Sequence, residues 1–421
     1  MRRRQALAFA GGVALATGIG LAGCGGKGVT EAPPGDQVKG TTLTIYSSVP
    51  LHGASSAAAH AVLAGEQLAL AQARGGIGKY RIVLRSLDDS TVQRSTWDPG
   101  QTSTNAHVAT ANPTTIGYVG EFNSGASAVS IPLLNRLDIA QISPASTAVG
   151  LTSSGAGATP GEPEKYYPTG VRTFARIVPN DTVQAAAQVR LQLHQGCHKT
   201  FVLGDGEVDG QDMATTFAVA AQRGGLKLAG SQPFDPGATD YRSLATSVAQ
   251  TGADCVLISA ITENHAVLLT KQIVAALPNA QIFGTAGLAE STYADASDGG
   301  IPRSLDSQVL ITNPTLDPSS YPPAGRAFFD FFTRRYGVPQ PAAIYGYEAM
   351  SLLLSAISKA TDHGQRPARR SKVVAALFAT RGRRSVLGTY SLTKDGDTTL
   401  RRYGVYRIVD GRLVFSAVIA V

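Results

Sequence analysis

Between residues 41 and 311, short apolar runs alternate with longer segments that carry apolar residues at helical spacing, and this alternation leaves few folds open. A strand followed by a helix returns over its own sheet to the next strand, so the strands run parallel and helices cover both faces. Strands are predicted at 42–47, 81–87, 116–120, 139–143, 173–178, 200–203, 226–231, 255–259, 281–283 and 308–311, and helices at 60–73, 102–110, 126–137, 182–194, 211–222, 241–249 and 264–275. The first helix has a glycine stop at Gly75-Gly76. A Gly/Ser/Pro-rich stretch, 150–170, interrupts the rhythm, and the pattern then restarts. Two doubly wound α/β domains follow from this. After them come helices near 324–336, 342–359 and 371–378 and a β-rich end, 389–421, with a hairpin at Asp410-Gly411.

Small polar residues concentrate in 118–147. The strand 116–120, the mostly apolar helix 126–137 and the strand 139–143 form one βαβ unit, whose carboxyl ends carry Asn123, Ser124, Ser143, Ser146 and Thr147. Ligands of open α/β sheets sit outside the carboxyl ends of the strands, so these residues point at one crevice. Hydroxyls and free backbone N–H groups at a helix N-terminus suit an anion. The same residue types are the N-caps and turn formers of any βα junction, and their spacing alone does not separate the two readings.

Of 421 residues, 43% are apolar and 16% charged, enough for two packed cores under a smooth, loop-rich surface. Arg2, Arg3 and Arg4, the apolar run 6–21 and Leu21-Ala22-Gly23-Cys24 read as an export signal over 1–23. Leu-Ala-Gly-Cys resembles the bacterial lipobox, which implies a lipid on Cys24 and an anchor at the outer face of the cell membrane. Whether the arginines mark a twin-arginine route or only a basic leader stays open. The one G-x-G-x-x-G, Gly18 to Gly23, lies in this leader and follows no strand, so it is no dinucleotide site. Residues 24–40 lack periodicity and read as a flexible tether. Loss of the three arginines of the leader takes the formal charge from +7 to +4, which singles out no partner. Arginines crowd 366–402 without interleaved aromatics, which argues against nucleic acid and for a solvated face.

Other constellations fall short of a chemistry. Asp205 to Gly210 has the look of a calcium loop, but its twelfth position is Thr216 where a bidentate Glu is needed, so it reads as a strand-to-helix turn facing the crevice. His194, Cys197 and His198 have no fourth zinc ligand at a recognisable spacing. There is no G-x-S-x-G and no histidine with an activating neighbour, so no catalytic, metal or cofactor site is predicted and the chain is not expected to be an enzyme.

Taken in order, AQARGGI (71–77) with Asp88-Asp89, residues 120–124, ISPAST (142–147), RIVPND (176–181), Gly204-Asp205 with Asp209-Gly210, and YGYEAM (345–350) resemble the type 1 periplasmic (solute-)binding proteins, in the branch that feeds ABC importers of branched-chain amino acids and related compounds. The resemblance spans nearly all of the mature chain. It implies two Rossmann-like lobes joined by a multi-crossover hinge: 41–179 with 311–395 in lobe 1, and 180–310 with 396–421 in lobe 2. It implies a monomer that captures a small solute between the lobes and delivers it to a membrane permease. The alternative on a similar bilobed body is an extracytoplasmic ligand sensor or hydrolase.

In such proteins a serine after the third strand and the alanine and threonine of S-P-A-x-T hold the ligand's carboxylate, which maps onto Ser124, the backbone N–H of Ala145, and Thr147, with Asn123 beside them. This chain also departs from the family. Gly284-Thr285-Ala286-Gly287 stands where amino-acid binders keep a glutamate for the ammonium group, Ile261-Thr262 replaces an aromatic, and residues 57–59 are alanines near an expected tyrosine. With Ala286 in place of a counter-charge, the expected ligand is a small carboxylate or neutral polar compound rather than an ordinary α-amino acid. Asp181 at the crossover and Asp209 at the mouth of a second-lobe strand are the carboxylates that could restore the charge.

Cys197 and Cys255 are expected to form a disulfide. They are the only thiols left once Cys24 is lipidated, export places them in an oxidising compartment, and they lie at the starts of strands that should be neighbours.

Overall fold

The structure, a computed structural model, describes residues 35–421 except Pro339 and the side chain of Asp209. The export signal, Cys24 and the tether as far as residue 34 lie outside the described residues. The chain from Thr42 to Arg176 builds a first sheet from β1 (Thr42–Val49), β2 (Gly76–Ile77), β3 (Tyr80–Asp88), β6 (Thr115–Val119), β7 (Ala140–Ser143) and β8 (Phe174–Arg176), with a small β4–β5 hairpin (Ser90–Thr91 and Thr96–Trp97) beyond β3. Helices α1 (Ser56–Gln72), α2 (Pro99–Ala111) and α3 (Ser124–Asn135) fill the crossovers. The order is β2-β3-β1-β6-β7-β8, parallel except for β2 against β3.

A second sheet takes β9 (Lys199–Gly204), β10 (Lys227–Pro233), β11 (Cys255–Ser259), β12 (Gln281–Gly284) and β13 (Val309–Asn313), with α4 (Asp181–His194), α5 (Val208–Gly224), α6 (Arg242–Gln250), α7 (Val267–Ala276) and the short α8 (Ser291–Ala294) between them. The chain then recrosses to place α9 (Pro323–Tyr336), α10 (Ala343–Ala360), α11 (Arg370–Phe378) and the β14–β15 hairpin (Arg383–Ser385, Gly388–Tyr390) around the first sheet. It returns as β16 (Arg402–Val409) and β17 (Arg412–Ala420), antiparallel at the edge of the second sheet, through a turn at Asp410 (φ 52°) and Gly411 (φ 74°). Asp-Gly with both φ positive is the turn whose twist matches a hairpin. Both lobes therefore have a parallel core, and almost every strand residue next to the centre is buried, as sheets covered on two faces require.

Each sheet reverses its growth direction once. After β3 is laid on one side of β1, β6 is laid on the other, and after β10 on one side of β9, β11 is laid on the other. Crevices open at the carboxyl ends of strands where the order reverses in this way. The crossings between lobes are tied by an ion pair: Arg176, fully buried, meets the half-buried Asp397 at 2.6 Å, and Asn180 donates to the same carboxylate at 3.2 Å. Helices α1 and α10 pack so closely that a Cβ on Gly346 would stand 2.0 Å from the carbonyl oxygen of Val62, and one on Gly65 2.1 Å from that of Ala343. Only glycine admits this approach.

Three expectations need correction. The tether does not run to Gly40: Val38 is buried with its N–H on Ala368 O at 2.9 Å, and the Asp36 carboxylate accepts the Ser371 N–H at 2.7 Å, so residues 36–38 dock on the α11 end by partners that periodicity cannot reveal. The C-terminal arginines are not uniformly solvated. Arg370 is buried and donates to the carbonyls of Thr115, Gly35 and Pro113, while Arg383 pairs with buried Glu348 at 2.6 Å. The helix expected from 264 starts at Val267, because Asn264 turns back to donate to Asp205 at 2.9 Å. Cys197 and Cys255 are joined, with Cα atoms 5.9 Å apart, and Cys255 opposes Thr200 in the parallel β9–β11 pair.

Candidate ligand-binding site

The switch points of both sheets face one cavity of about 190 Å³. Lobe 1 lines it with Ser55 and Ala58 at the start of α1, with Phe122, Asn123 and Ser124 beyond β6, and with Pro144, Ala145 and Thr147 beyond β7. From the opposite side come Ile261 beyond β11 and Ala286, Gly287, Ala289 and Glu290 beyond β12, while Asn313 to Thr315, Gln340 to Ala342, Tyr345 and Tyr406 close the hinge end. Of the residues expected to bind ligand, Ser124, Ala145, Thr147, Asn123, Ile261 and Ala286 are thus brought to one space.

Their hydrogen bonding is less uniform than the motif implies. Ser124 opens α3, and its Oγ accepts the N–H groups of Thr147 at 3.1 Å and Ala148 at 3.2 Å. A hydroxyl that accepts twice still has its proton to donate. The N–H of Ala145, expected to be a free donor, is turned to Ser143 Oγ at 3.2 Å, because that oxygen organises the turn and also holds the N–H of Ser146 at 2.8 Å. The hydroxyl of Thr147 faces the Asp181 carboxylate, and the Asp181 N–H returns a bond to Thr147 O at 3.0 Å. Asn123 is the N-cap of α3 but makes no side-chain cap bond, and its Oδ1 is buried without a partner among the described residues.

The two aspartates proposed as counter-charges are placed differently. Asp181 begins α4 and is buried behind Thr147, off the cavity lining, where burial raises its carboxyl to about 7 against the pull of Thr147 and Arg176. Asp209 lies in the first turn of α5. Asp205 is the organiser of its turn: its carboxylate accepts from the Ile261 N–H, Asn264 Nδ2 and the Glu207 N–H. Among the described residues no group of three His, Cys, Asp or Glu side chains is placed to hold a metal ion.

Sequence reasoning missed Ser55, Phe122, Glu290, Tyr345 and Tyr406. Tyr345 stood inside the YGYEAM motif, and Glu290 follows Ala286 by four residues in AGLAE, so both were within reach of a closer reading. Tyr406 comes from the C-terminal hairpin, and no local pattern marks it.

Residues 42–412 match the family described as Periplasmic binding protein. The chain belongs to that family. It is similar to a Leu/Ile/Val-binding protein homolog of Brucella melitensis, 22% identical over 376 residues that cover 88% of this chain and 93% of that protein. Two solved structures share the fold: a leucine-binding protein of Thermotoga maritima (TM-score 0.75, 19% identity, covering 90% of this chain and 99% of that one) and a Streptococcus pneumoniae branched-chain amino acid transporter substrate-binding protein in complex with isoleucine (0.71, 18%, 90% and 99%). A solute-binding protein from R. palustris in complex with benzoate is also similar (0.69, 17%, 90% and 96%).

In this periplasmic binding protein two carboxylates of the second lobe reach backbone N–H groups of the first. Glu263 Oε1 accepts from Ser55 at 3.3 Å, and Asp212 Oδ2 accepts from Val149 at 2.7 Å and Gly150 at 3.4 Å. Burial, with Asp181 and Glu162 nearby, raises the Asp212 carboxyl to about 7. A carboxyl raised in this way supports the fold fully below its unfolded value, about 4, and loses that support as pH climbs through its folded value. Thermal stability should therefore fall as pH rises toward 7 and flatten beyond it. Asp212→Asn keeps an acceptor for both N–H groups and cannot ionise, so its melting temperature should depend less on pH and should exceed wild type at about pH 8. An unchanged slope would remove Asp212 from this account.

Proposed function

We propose that this binding protein captures a small carboxylate-bearing solute in the cavity between its lobes and delivers it to an ABC importer in the membrane. Ser124 carries the reading: a buried hydroxyl on the cavity wall that accepts two N–H bonds and has no acceptor for its own proton among the described residues, at the carboxyl end of a strand next to a switch point. A neutral donor preset in this way holds a carboxylate by a charge-assisted bond without a buried arginine. Thr147 and Ala145 stand beside it, and the hinge closes 41–179 with 311–395 against 180–310 with 396–421. The compounds named for similar structures, isoleucine and benzoate, share a carboxylate and little else. Export through residues 1–23 and a lipid on Cys24 complete the reading, with a monomer tethered at the outer face of the cell membrane.

A thermal-shift screen of carboxylates, amides and amino acids tests it. A ligand at about 100 times its Kd adds roughly 2.7 kcal/mol, a rise of several degrees for a protein of this size. If amides raised the melting temperature and no carboxylate did, the role given to Ser124 would be wrong.

A further inference from the structure

Two fully buried acids behind the cavity take no part in the site described above. Asp89 follows β3 and Glu121 follows β6, so they stand at the carboxyl ends of the two strands that flank β1. Glu121 Oε1 accepts the Tyr118 hydroxyl at 2.8 Å, while Glu121 Oε2 and both carboxyl oxygens of Asp89 have no hydrogen-bond donor among the described residues. The two carboxyls lie against each other beside Ser48, whose Oγ is held by Asn105 Nδ2 at 3.1 Å. No lysine, arginine or histidine pairs with either of them among the described residues. Tyr118 on β6 and Asp88 on β3 are the other titratable groups that face the pair, and Asp88 is engaged by His52 and Ser90. Helices α2 and α3 present Asn105 and Ser130 there, neither of which ionises. Glu121 is also where the cavity loops meet. Its main-chain oxygen accepts the hydroxyls of Ser143 at 2.7 Å and Ser146 at 3.2 Å, its N–H donates to Ser127 Oγ at 3.3 Å, and Phe122, Asn123 and Ser124 follow it directly into the cavity wall.

We propose that Asp89 and Glu121 are positioning residues that share one proton, and that this proton ties the end of β3 to the segments that carry Ser124 and Thr147. Two buried carboxyls in contact without a cation cannot both ionise, and an acid that donates to its neighbour answers one orphaned oxygen of each. Burial raises both carboxyls, and the charge of Glu121 raises Asp89 further. The proton-bound pair is therefore complete at low pH and is lost as pH rises through the raised values. Repulsion then parts the two strand ends, and with them the loops around Ser124 and Thr147. The inference rests on the carboxylate reading only for what those loops bind, and its test needs no ligand.

Hydrogen exchange read by mass spectrometry, on the wild-type chain, Asp89→Asn and Asp89→Ala, follows peptides over 120–127 and 142–149 from about pH 6 to about pH 10. Rates are corrected for the intrinsic pH dependence of exchange, and residues 255–259 of β11 serve as the internal reference. Asparagine donates to Glu121 as a protonated aspartic acid does and cannot ionise, whereas alanine leaves Glu121 alone. At the acid end Asp89→Asn should match wild type, and Asp89→Ala should exchange roughly tenfold faster in both segments. At the alkaline end wild type should approach Asp89→Ala while Asp89→Asn keeps its protection, with the reference alike in all three. If Asp89→Asn exchanges as fast as Asp89→Ala at the acid end, Asp89 accepts there rather than donates, and the shared proton is overturned. Parallel pH profiles of wild type and Asp89→Asn overturn it as well, and this comparison decides even where Asp89→Ala does not fold. Loosening of 255–259 along with the site would make Asp89 a general structural acid, and the positioning role would fall. In each of these cases the carboxylate reading stands, because the thermal-shift screen judges it separately.

Discussion

Reduction of the Cys197–Cys255 bond is expected to lower the stability of the protein by about 4 kcal/mol, since the bond closes a loop of 58 residues and restrains the unfolded chain accordingly. The site adds to this. Both cysteines sit in the core beneath α4 and α5, with Val189, Leu191, Phe217 and Leu226, so two thiols would have to be accommodated among packed aliphatic and aromatic side chains. Urea unfolding of the oxidised protein against Cys197→Ser/Cys255→Ser should show a clear drop in midpoint. The denatured, unreduced protein should yield no titratable thiol from either residue. Equal midpoints, or two thiols in that titration, would discard the role given to the bond.

The second large effect is on binding. Ser124→Ala removes a hydroxyl on the cavity wall and with it the acceptor shared by the N–H groups of Thr147 and Ala148. A hydrogen bond to a charged group is worth about 1.5–3 kcal/mol, so affinity for whichever carboxylate stabilises the protein should fall by roughly 10- to 150-fold. Two buried donors left without a partner should lower the melting temperature as well. Thr147→Ala should do less to binding, because that hydroxyl already faces Asp181. Calorimetry of both variants with one ligand decides the order. A larger loss in Thr147→Ala would show that the hydroxyl leaves Asp181 for the ligand.

The alternation of apolar runs and helical periods was enough to determine two doubly wound lobes, because strand and helix periods are local properties of a chain and parallel order follows from βα connections. The crevice residues around Ser124 and Thr147 were legible for a related reason: the carboxyl ends of strands are visible wherever the strands are. The disulfide was legible from two cysteines at the starts of strands that had to be neighbours. The state of each polar group was a different matter. Whether Ala145 has a free N–H depends on Ser143 two residues away in a folded turn, and whether Asp181 faces ligand depends on how α4 enters the hinge. Arg176 finds Asp397 across 221 residues of sequence, and Arg370 finds three carbonyls brought from two distant segments. Glu290 looked in sequence like any acid after a strand. Only the tertiary structure placed it on the cavity wall, where no lysine or arginine among the described residues lines the space, because the charge state of a side chain is set by the groups that surround it, and those groups come from segments the chain brings together only on folding.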